Sequence, residues 1–446
     1  MSPTDTQARF VTGSILRHVV TMTLTGALGL MSMFLVDLAD LFFLSLLKQT
    51  EVTAAIGYAG IISFANLSMS IGTGIAAAAL VARNLGARRP ERAREFATST
   101  LLFTLLISAF LTILIAVSLD PILRFLGAGG EALHLAKIFV WTLTPGFILL
   151  SGAVNCSFTL RGLGDPRRAM FITLSVAIIT AILDPIFIFA LGWGIQGAAA
   201  ANVVAYCFSL SIGLHGVARV HKFLLPFSLR ALQRDYREIS AIALPAILTQ
   251  LAVPFSVAYL TKAVAPFGDE AIAASAIIGR VVPVAYGVIF SLAGSIGPII
   301  GQNFGARNFS RVKQTLSDGL RFSSAYTIIT SLLLFVFRHQ LADVFHAAGR
   351  TSELVVFFCT FVAISWAFGG AQFVANAAFN NLGKPNLSTW FNWGKATLGT
   401  IPFAIFGGAH FGPEGIMAGT AIGSVLFGIA SVVAAYRLVD RMQVPT

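Results

Sequence analysis

Three carboxylates stand inside long apolar runs of this 446-residue chain, and each is a candidate for chemistry. Asp37 and Asp40 are three residues apart, so on a helix both project from one face. Asp184 lies in a separate apolar run, with Pro185 directly after it. An ionised Asp at the centre of a membrane helix costs about 2.5–3.5 kcal/mol on insertion scales. Binding H+ or Na+ removes the charge and with it that cost. Pro185 also deprives the carbonyl of Ala181 of its helical donor, leaving an oxygen suited to a cation. Asp40 is eight residues from Lys48 and Asp184 eight from Gly192, so at 1.5 Å per residue both sit roughly 12 Å inside the same face. Asn202, eight residues after Gly194, reaches the same depth, and Thr180 lies one turn from Asp184. Asp37, Asp40, Thr180, Asp184 and Asn202 are the expected cation-coupling cluster, with Asp40 and Asp184 as the ligands if the ion is Na+.

Other polar residues in apolar surroundings are weaker candidates. Asn155, Gln250 and Arg280 are set down as lining a substrate cavity, and Lys395 is a second intramembrane cation. Cys156, Cys207 and Cys359 lie in apolar runs with no shared spacing, so they read as small core residues. No His, Cys and carboxylate cluster has metal-ligand spacing, and no Walker motif is present, so no cofactor is expected beyond a coupling ion. Asp37-x-x-Asp40 superficially matches half of a diphosphate–Mg2+ motif. That chemistry needs a second acidic cluster, which the chain lacks, so an enzyme is not expected.

Long helices must position these groups. Hydrophobic residues make up 56% of the chain and charged residues 11%, against about 25% charge in soluble domains. The mean hydropathy is +0.83, spread through the whole length. Apolar runs near 16–47, 52–81, 96–119, 138–160, 169–192, 198–216, 239–266, 271–300, 320–337, 354–379, 386–407 and 415–436 read as twelve transmembrane helices. The net charge of +11 follows the loops, with 22 of the 30 Lys and Arg on one face and 6 on the other. By the positive-inside rule both termini are cytoplasmic. This distribution makes the lipid bilayer, not nucleic acid, the partner of the basic residues, and Arg83 to Arg94 reads as a solvated loop. The polar N-terminus carries no cleavable leader pattern. The location expected is the plasma membrane, the inner membrane if the source is bacterial.

The sequence also repeats itself. LVARNLGARRPERARE at 80–95 matches IIGQNFGARNFSRVKQ at 299–314, an offset of 219 residues. The same shift carries Leu163-Gly164-Asp165-Pro166 onto Leu382-Gly383-Lys384-Pro385, while Gly194-Ile-Gln-Gly197 meets Gly412-Pro-Glu-Gly415 at 218. Two lobes, 1–219 and 220–446, follow. Six helices per lobe is an even number, so both enter from one side and are related by a pseudo-two-fold axis along the membrane normal. All three embedded carboxylates fall in the first lobe, against Tyr259, Ser256 and Pro402 or Phe403 in the second.

In order along the chain, several motifs resemble those of the multidrug and toxic compound extrusion (MATE) family, in the pattern of its DinF-like branch. Asp40-Leu-Phe-Phe-Leu followed by Ala54-Ala55-Ile-Gly57 is similar to the family's D-T-x-F-V-G…A-A-x-G, and Leu85-Gly86-Ala87 and Phe304-Gly305-Ala306 to its paired G-A loops. Arg161-Gly-Leu-Gly164-Asp165 resembles its R-x-x-G-D turn, and Leu183-Asp184-Pro185-Ile-Phe-Ile with Gly197-Ala198-Ala199 its L-D-P-x-F-I…G-A-A stretch. The resemblance implies alternating access and export of organic, often cationic and amphipathic, compounds in exchange for H+ or Na+. By position, Asp40 and Asp184 match the family's cation-coupling carboxylates. Thr180 and Asn202 keep the polar network in kind, and Asp37 stands where related chains often have Asn. A lipid-linked oligosaccharide or polysaccharide flippase of the same wider superfamily is the alternative. The internal repeat lets a monomer form the whole pathway.

If the carboxylates couple the ion, Asp40→Asn and Asp184→Asn each abolish uphill export from loaded vesicles while membrane insertion and yield stay normal. Uphill transport at near wild-type rate in both variants refutes the assignment.

Overall fold

The computed structural model describes residues 8–45 and 50–443, without the side chains of residues 35, 37–45, 50 and 53. All regular structure among these residues is helical. The order is α1 (Ile15–Ser45), α2 (Thr50–Gly86), α3 (Pro90–Val117), α4 (Leu119–Phe125), α5 (Gly130–Gly162), α6 (Pro166–Pro185), α7 (Gly194–Leu214), α8 (Leu229–Val264), α9 (Asp269–Gly305), α10 (Phe309–Val336), α11 (Arg338–Val344), α12 (Gly349–Phe357), α13 (Trp366–Asn381), α14 (Pro385–Ala396) and α15 (Ile401–Gln443). In hydrocarbon a backbone must pair internally, which leaves helices as the spanning form for such a chain.

Eleven described stretches are long and apolar enough to span a membrane, and the last, Pro385–Gln443, has 59 residues, enough for two crossings. The second crossing begins at Gly412, whose φ of 64° and ψ of −151° break α15. A methyl on Gly407 would meet the carbonyl of Gly415, one on Gly419 that of Phe403, and one on Gly423 that of Gly399. These pairs run in opposite directions from Gly412, so the two segments form a hairpin with touching backbones. Twelve passes result among the described residues.

The repeat is written in the backbone. Helices α2 and α9, α3 and α10, and α4 and α11 begin and end 219 residues apart. Arg88 and Arg307 both take φ of 57°, Gly164 and Gly383 take 82° and 78°, and Gly130 and Gly349 take 54° and 53°. The glycines open α5 and α12, and Pro90, Pro166 and Pro385 start α3, α6 and α14, where the missing N–H has no partner to lose.

The chain forms two compact units, residues 1–9 with 28–247, and residues 10–27 with 248–446. The repeat alone divides it at 219/220; compactness instead cuts α1 and α8 within their lengths. In the first unit, small polar side chains join α2, α3 and α5: Ser151 Oγ lies 2.7 Å from Ser70 Oγ and 2.9 Å from Ser108 Oγ. Such residues let membrane helices approach closely and bond across the gap. The start of α8 docks on α3, where Asp235 is fully buried and accepts from Ser99 Oγ at 2.7 Å, Arg92 Nη1 at 2.7 Å and Arg234 Nε at 3.0 Å. In the second unit the start of α1 is held instead by Arg311, 219 residues after Arg92. Its Nη2 donates to the carbonyls of Phe10, Thr12 and Gly13 at 3.0–3.2 Å, and Gln302 Oε1 accepts from the Phe10 amide at 2.9 Å.

Three local expectations need correction. The run expected at 386–407 is not one helix: it breaks at 397–400, and the hydroxyls of Thr397 and Thr400 take the carbonyls of Trp393 and Lys395. Cys156 and Cys359 are buried, but Cys207 is exposed because it points away from the α5 face of α7. The 83–94 loop is not merely solvated, since its Arg92 reaches the buried Asp235.

Gly423→Ala forces backbones apart at the α15 hairpin, and overpacking of this kind costs about 1–3 kcal/mol. The melting midpoint in detergent should fall by several degrees, whereas Gly57→Ala, whose methyl meets nothing within 4 Å, should leave it unchanged or slightly raised.

Candidate functional site

Helix α6 carries two of the expected coupling residues, and its start is fixed by charge. Asp165 caps it, accepting from the Arg168 amide at 3.2 Å, and pairs with the Arg168 guanidinium and with His221 Nε2 at 3.0 Å. Burial opposes the charge on Asp165, but the bonds from His221 and Arg168 prevail and hold its carboxyl well below the usual carboxylate range. From this anchor α6 runs up to Thr180 and Asp184, one turn apart and both fully buried. After Asp184 the helix cannot continue in register, because Pro185 supplies no donor. Residues Ile186–Ala190 widen into a π-helical turn, closed by the Leu191 amide on the carbonyl of Ile186 at 2.9 Å. Turns of this kind occur inside helices frequently at functional sites, and two more are at His215–Val220 and Phe358–Val362.

Helix α7 packs on α6 and brings in Asn202, which is buried and donates from Nδ2 to the carbonyl of Ala198 at 3.1 Å. The Thr180 hydroxyl is buried without a hydrogen-bond partner among the described residues. Thr180, Asp184 and Asn202 are each buried, on the adjacent helices α6 and α7 of the first unit. Asp37 and Asp40 fall on the backbone of α1, in the part that belongs to the same unit, and their side chains lie outside the described residues. Among the described residues no three His, Cys, Asp or Glu side chains gather to hold a metal ion. The local chemistry is that of a fully buried carboxylate one helical turn from a buried hydroxyl.

The cavity candidates separate. Asn155 does not present a free amide: its Nδ2 donates to Thr104 Oγ1 at 2.9 Å and ties α5 to α3, a packing role. Gln250 is half-buried on the second unit's part of α8, and Arg280 is exposed on α9. Sequence reasoning passed over Gln372 on α13, which is buried with its Nε2 unpartnered among the described residues. Its recurrence four residues before Asn376 and eight before Asn380 was the available signal. Asp235 was also passed over, because its stretch of α8 is amphipathic and precedes the apolar run.

Compared with known families, the model described as MatE matches residues 27–186 and 245–406, more than half of the chain and both halves of the repeat. The chain belongs to the MatE family. Its members are the MATE transporters, so this protein is a membrane transporter and not an enzyme. Among curated relatives, the FAD transporter of Shewanella oneidensis is 28% identical over 436 residues, covering 96% of each chain. The multidrug export protein MepA of Staphylococcus aureus is 25% identical over 451 residues, covering 98% of this chain and 97% of its own. Of the solved structures, the Vibrio cholerae MATE transporter VcmN in the bent form shares the fold with a TM-score of 0.91, 23% identity, and coverage of 96% and 98%. An outward-facing MATE transporter of the MOP superfamily gives 0.92 at 21% identity, covering 98% and 99%.

Thr180 and Asn155 offer opposite readouts. If Asp184 binds a coupling ion, Thr180→Val, which removes the hydroxyl one turn away, raises the ion concentration for half-maximal exchange about three- to ten-fold, one hydrogen bond's worth. Asn155→Leu breaks a packing bond and should lower the melting midpoint while leaving that concentration within two-fold, roughly.

Proposed function

We propose that this MATE-family transporter is a secondary antiporter, exporting small organic compounds in exchange for H+ or Na+ by alternating access. The observation that carries the reading is Asp184, a fully buried carboxylate in an apolar helix next to Pro185 and the π-helical turn. Holding that charge in lipid is unfavourable, so the state of the protein that exposes Asp184 to an ion source gains from binding the ion. Asp40 is the proposed second ligand, Asp37 modulates its charge, and Thr180 and Asn202 supply neutral oxygens. When the ion neutralises the cluster, the equilibrium shifts toward the state that releases substrate outside. Coupling requires only that ion and substrate prefer different states.

The energetics suffice without ATP. One pH unit supplies about 1.4 kcal/mol and 100 mV about 2.3 kcal/mol per charge. Together these drive a neutral compound to a gradient of several hundred-fold for one proton. The names of the relatives span FAD and multidrug export. Organic molecules with aromatic systems are thus the substrate class proposed here, often cationic ones, with a flavin dinucleotide as the second reading. The basic cytoplasmic loops support cytoplasmic termini and residence in the plasma membrane, and the internal repeat supports a functional monomer.

The test is purified protein in vesicles with a fluorescent organic cation, under an imposed pH gradient and then under an Na+ gradient. Uphill movement driven by one gradient and lost in Asp184→Asn establishes antiport and names the ion. No movement under either gradient, with that cation and with riboflavin, refutes the reading and turns attention to a lipid-linked sugar.

A further inference from the structure

Helices α13 and α14 of the second unit face each other along a ladder of polar side chains. Ser388 Oγ donates to Asn380 Oδ1 at 3.1 Å, and Asn392 Nδ2 donates to Asn376 Oδ1 at 3.1 Å. The helices are antiparallel, so each step back along α13 matches a step forward along α14. Four residues before Asn376 on the same face of α13 stands Gln372, and three after Asn392 on the same face of α14 stands Lys395, one residue short of the register position opposite Gln372. Residues three and four apart share a helix face. Both completed rungs join a donor to an acceptor. Gln372 and Lys395 present an amide and an ammonium.

Among the described residues no group supplies the missing acceptor. Lys395 forms no ion pair or side-chain hydrogen bond among the described residues, and Gln372, buried at 3% exposure, has an unpartnered Nε2. Even with the amide turned over, one carbonyl leaves two of the three ammonium hydrogens unanswered. The backbone does not help. At the break that follows, the carbonyl of Lys395 is taken by the Thr400 hydroxyl at 2.8 Å and that of Trp393 by the Thr397 hydroxyl at 2.7 Å. Lys395 stands ten residues after Pro385, roughly 15 Å along the helix and thus near mid-membrane. A cation at that depth is costly and marks a ligand or ion pathway by default. Interrupted helices mark such sites in transporters, and α14 ends one residue beyond Lys395.

We infer that Gln372 and Lys395 form an anion-binding subsite in the second unit, which takes the phosphate or carboxylate of an aromatic organic substrate. A guest oxyanion bridges the two, accepting from the ammonium and the amide together. The inference rests on the proposed transport reading and assigns charges by unit, a carboxylate for the coupling ion in the first and a cation for the substrate in the second. The same chemistry would hold a lipid phosphate, so the test separates the two sources.

Riboflavin and riboflavin 5′-phosphate carry the same fluorescent ring and differ by one phosphate, and the quantity read is the ratio of their transport rates in gradient-driven vesicles. In Lys395→Gln the phosphate-to-riboflavin ratio should fall at least about ten-fold, the worth of one charge-assisted bond. Lys395→Arg should restore most of it. Gln372→Met should lower it less. In the unmutated protein, phenyl phosphate should inhibit riboflavin phosphate transport and benzyl alcohol should not, a result independent of how any variant folds. An unchanged ratio in Lys395→Gln, or equal inhibition by phosphate and alcohol, overturns the inference. A Lys395 effect seen only in vesicles of anionic lipid, and absent in phosphatidylcholine, assigns the site to a headgroup and overturns it as well. If neither riboflavin nor an organic cation moves under any gradient, the transport reading itself has failed.

Discussion

A peptide group without a partner in hydrocarbon costs several kcal/mol, and three departures from regular helix in this chain are arranged around that cost. After Asp184-Pro185 the backbone widens into a π-helical turn, and the Leu191 amide picks up the carbonyl of Ile186. At 397–400 the hydroxyls of Thr397 and Thr400 fold back onto carbonyls. At Gly412 the chain turns back without leaving room for side chains, so glycines occupy the contact rows on both segments. Irregular backbone is affordable in these places because the sequence provides a donor or removes a Cβ where one is needed.

The repeat supplies a frame that both halves obey to the residue at α2 and α9, α3 and α10, and α4 and α11. Chemistry enters where the copies differ. Asp184 corresponds to Pro402 or Phe403, and Lys395 corresponds to Val176. A symmetric scaffold thus carries opposite charges in its two units. Embedded charge of either sign is costly in lipid.

Much of this was legible in the sequence because its signals are one-dimensional. The apolar runs and the 219-residue offset need no tertiary information, and the fold and family agree with them. Asp184 was legible for the same reason, as a charge where the run forbids one. What escaped was pairing across space. Asn155 reads as a cavity amide until Thr104 is found beside it. Arg92 reads as a solvated loop residue until the buried Asp235 is seen beneath it, and Gln372 reads as one amide among several until its register against Lys395 is laid out. The break after α14 was hidden because Thr and Gly are compatible with a membrane helix.

Residues 10–27 belong to the unit built mostly from the second repeat, and the opening of α8 to residue 247 belongs to the unit built from the first. Arg311 and Arg92, equivalent in the repeat, hold the two incoming segments. In the language of assembly this is a reciprocal strand exchange carried out by helices. A chain carrying a single repeat would have its own docking groove empty and its own first helix unclaimed, and two such chains would satisfy each other only as a swapped pair. Fusing the copies into one polypeptide turns that intermolecular exchange into an intramolecular one, so completing each unit no longer depends on the concentration of a second chain.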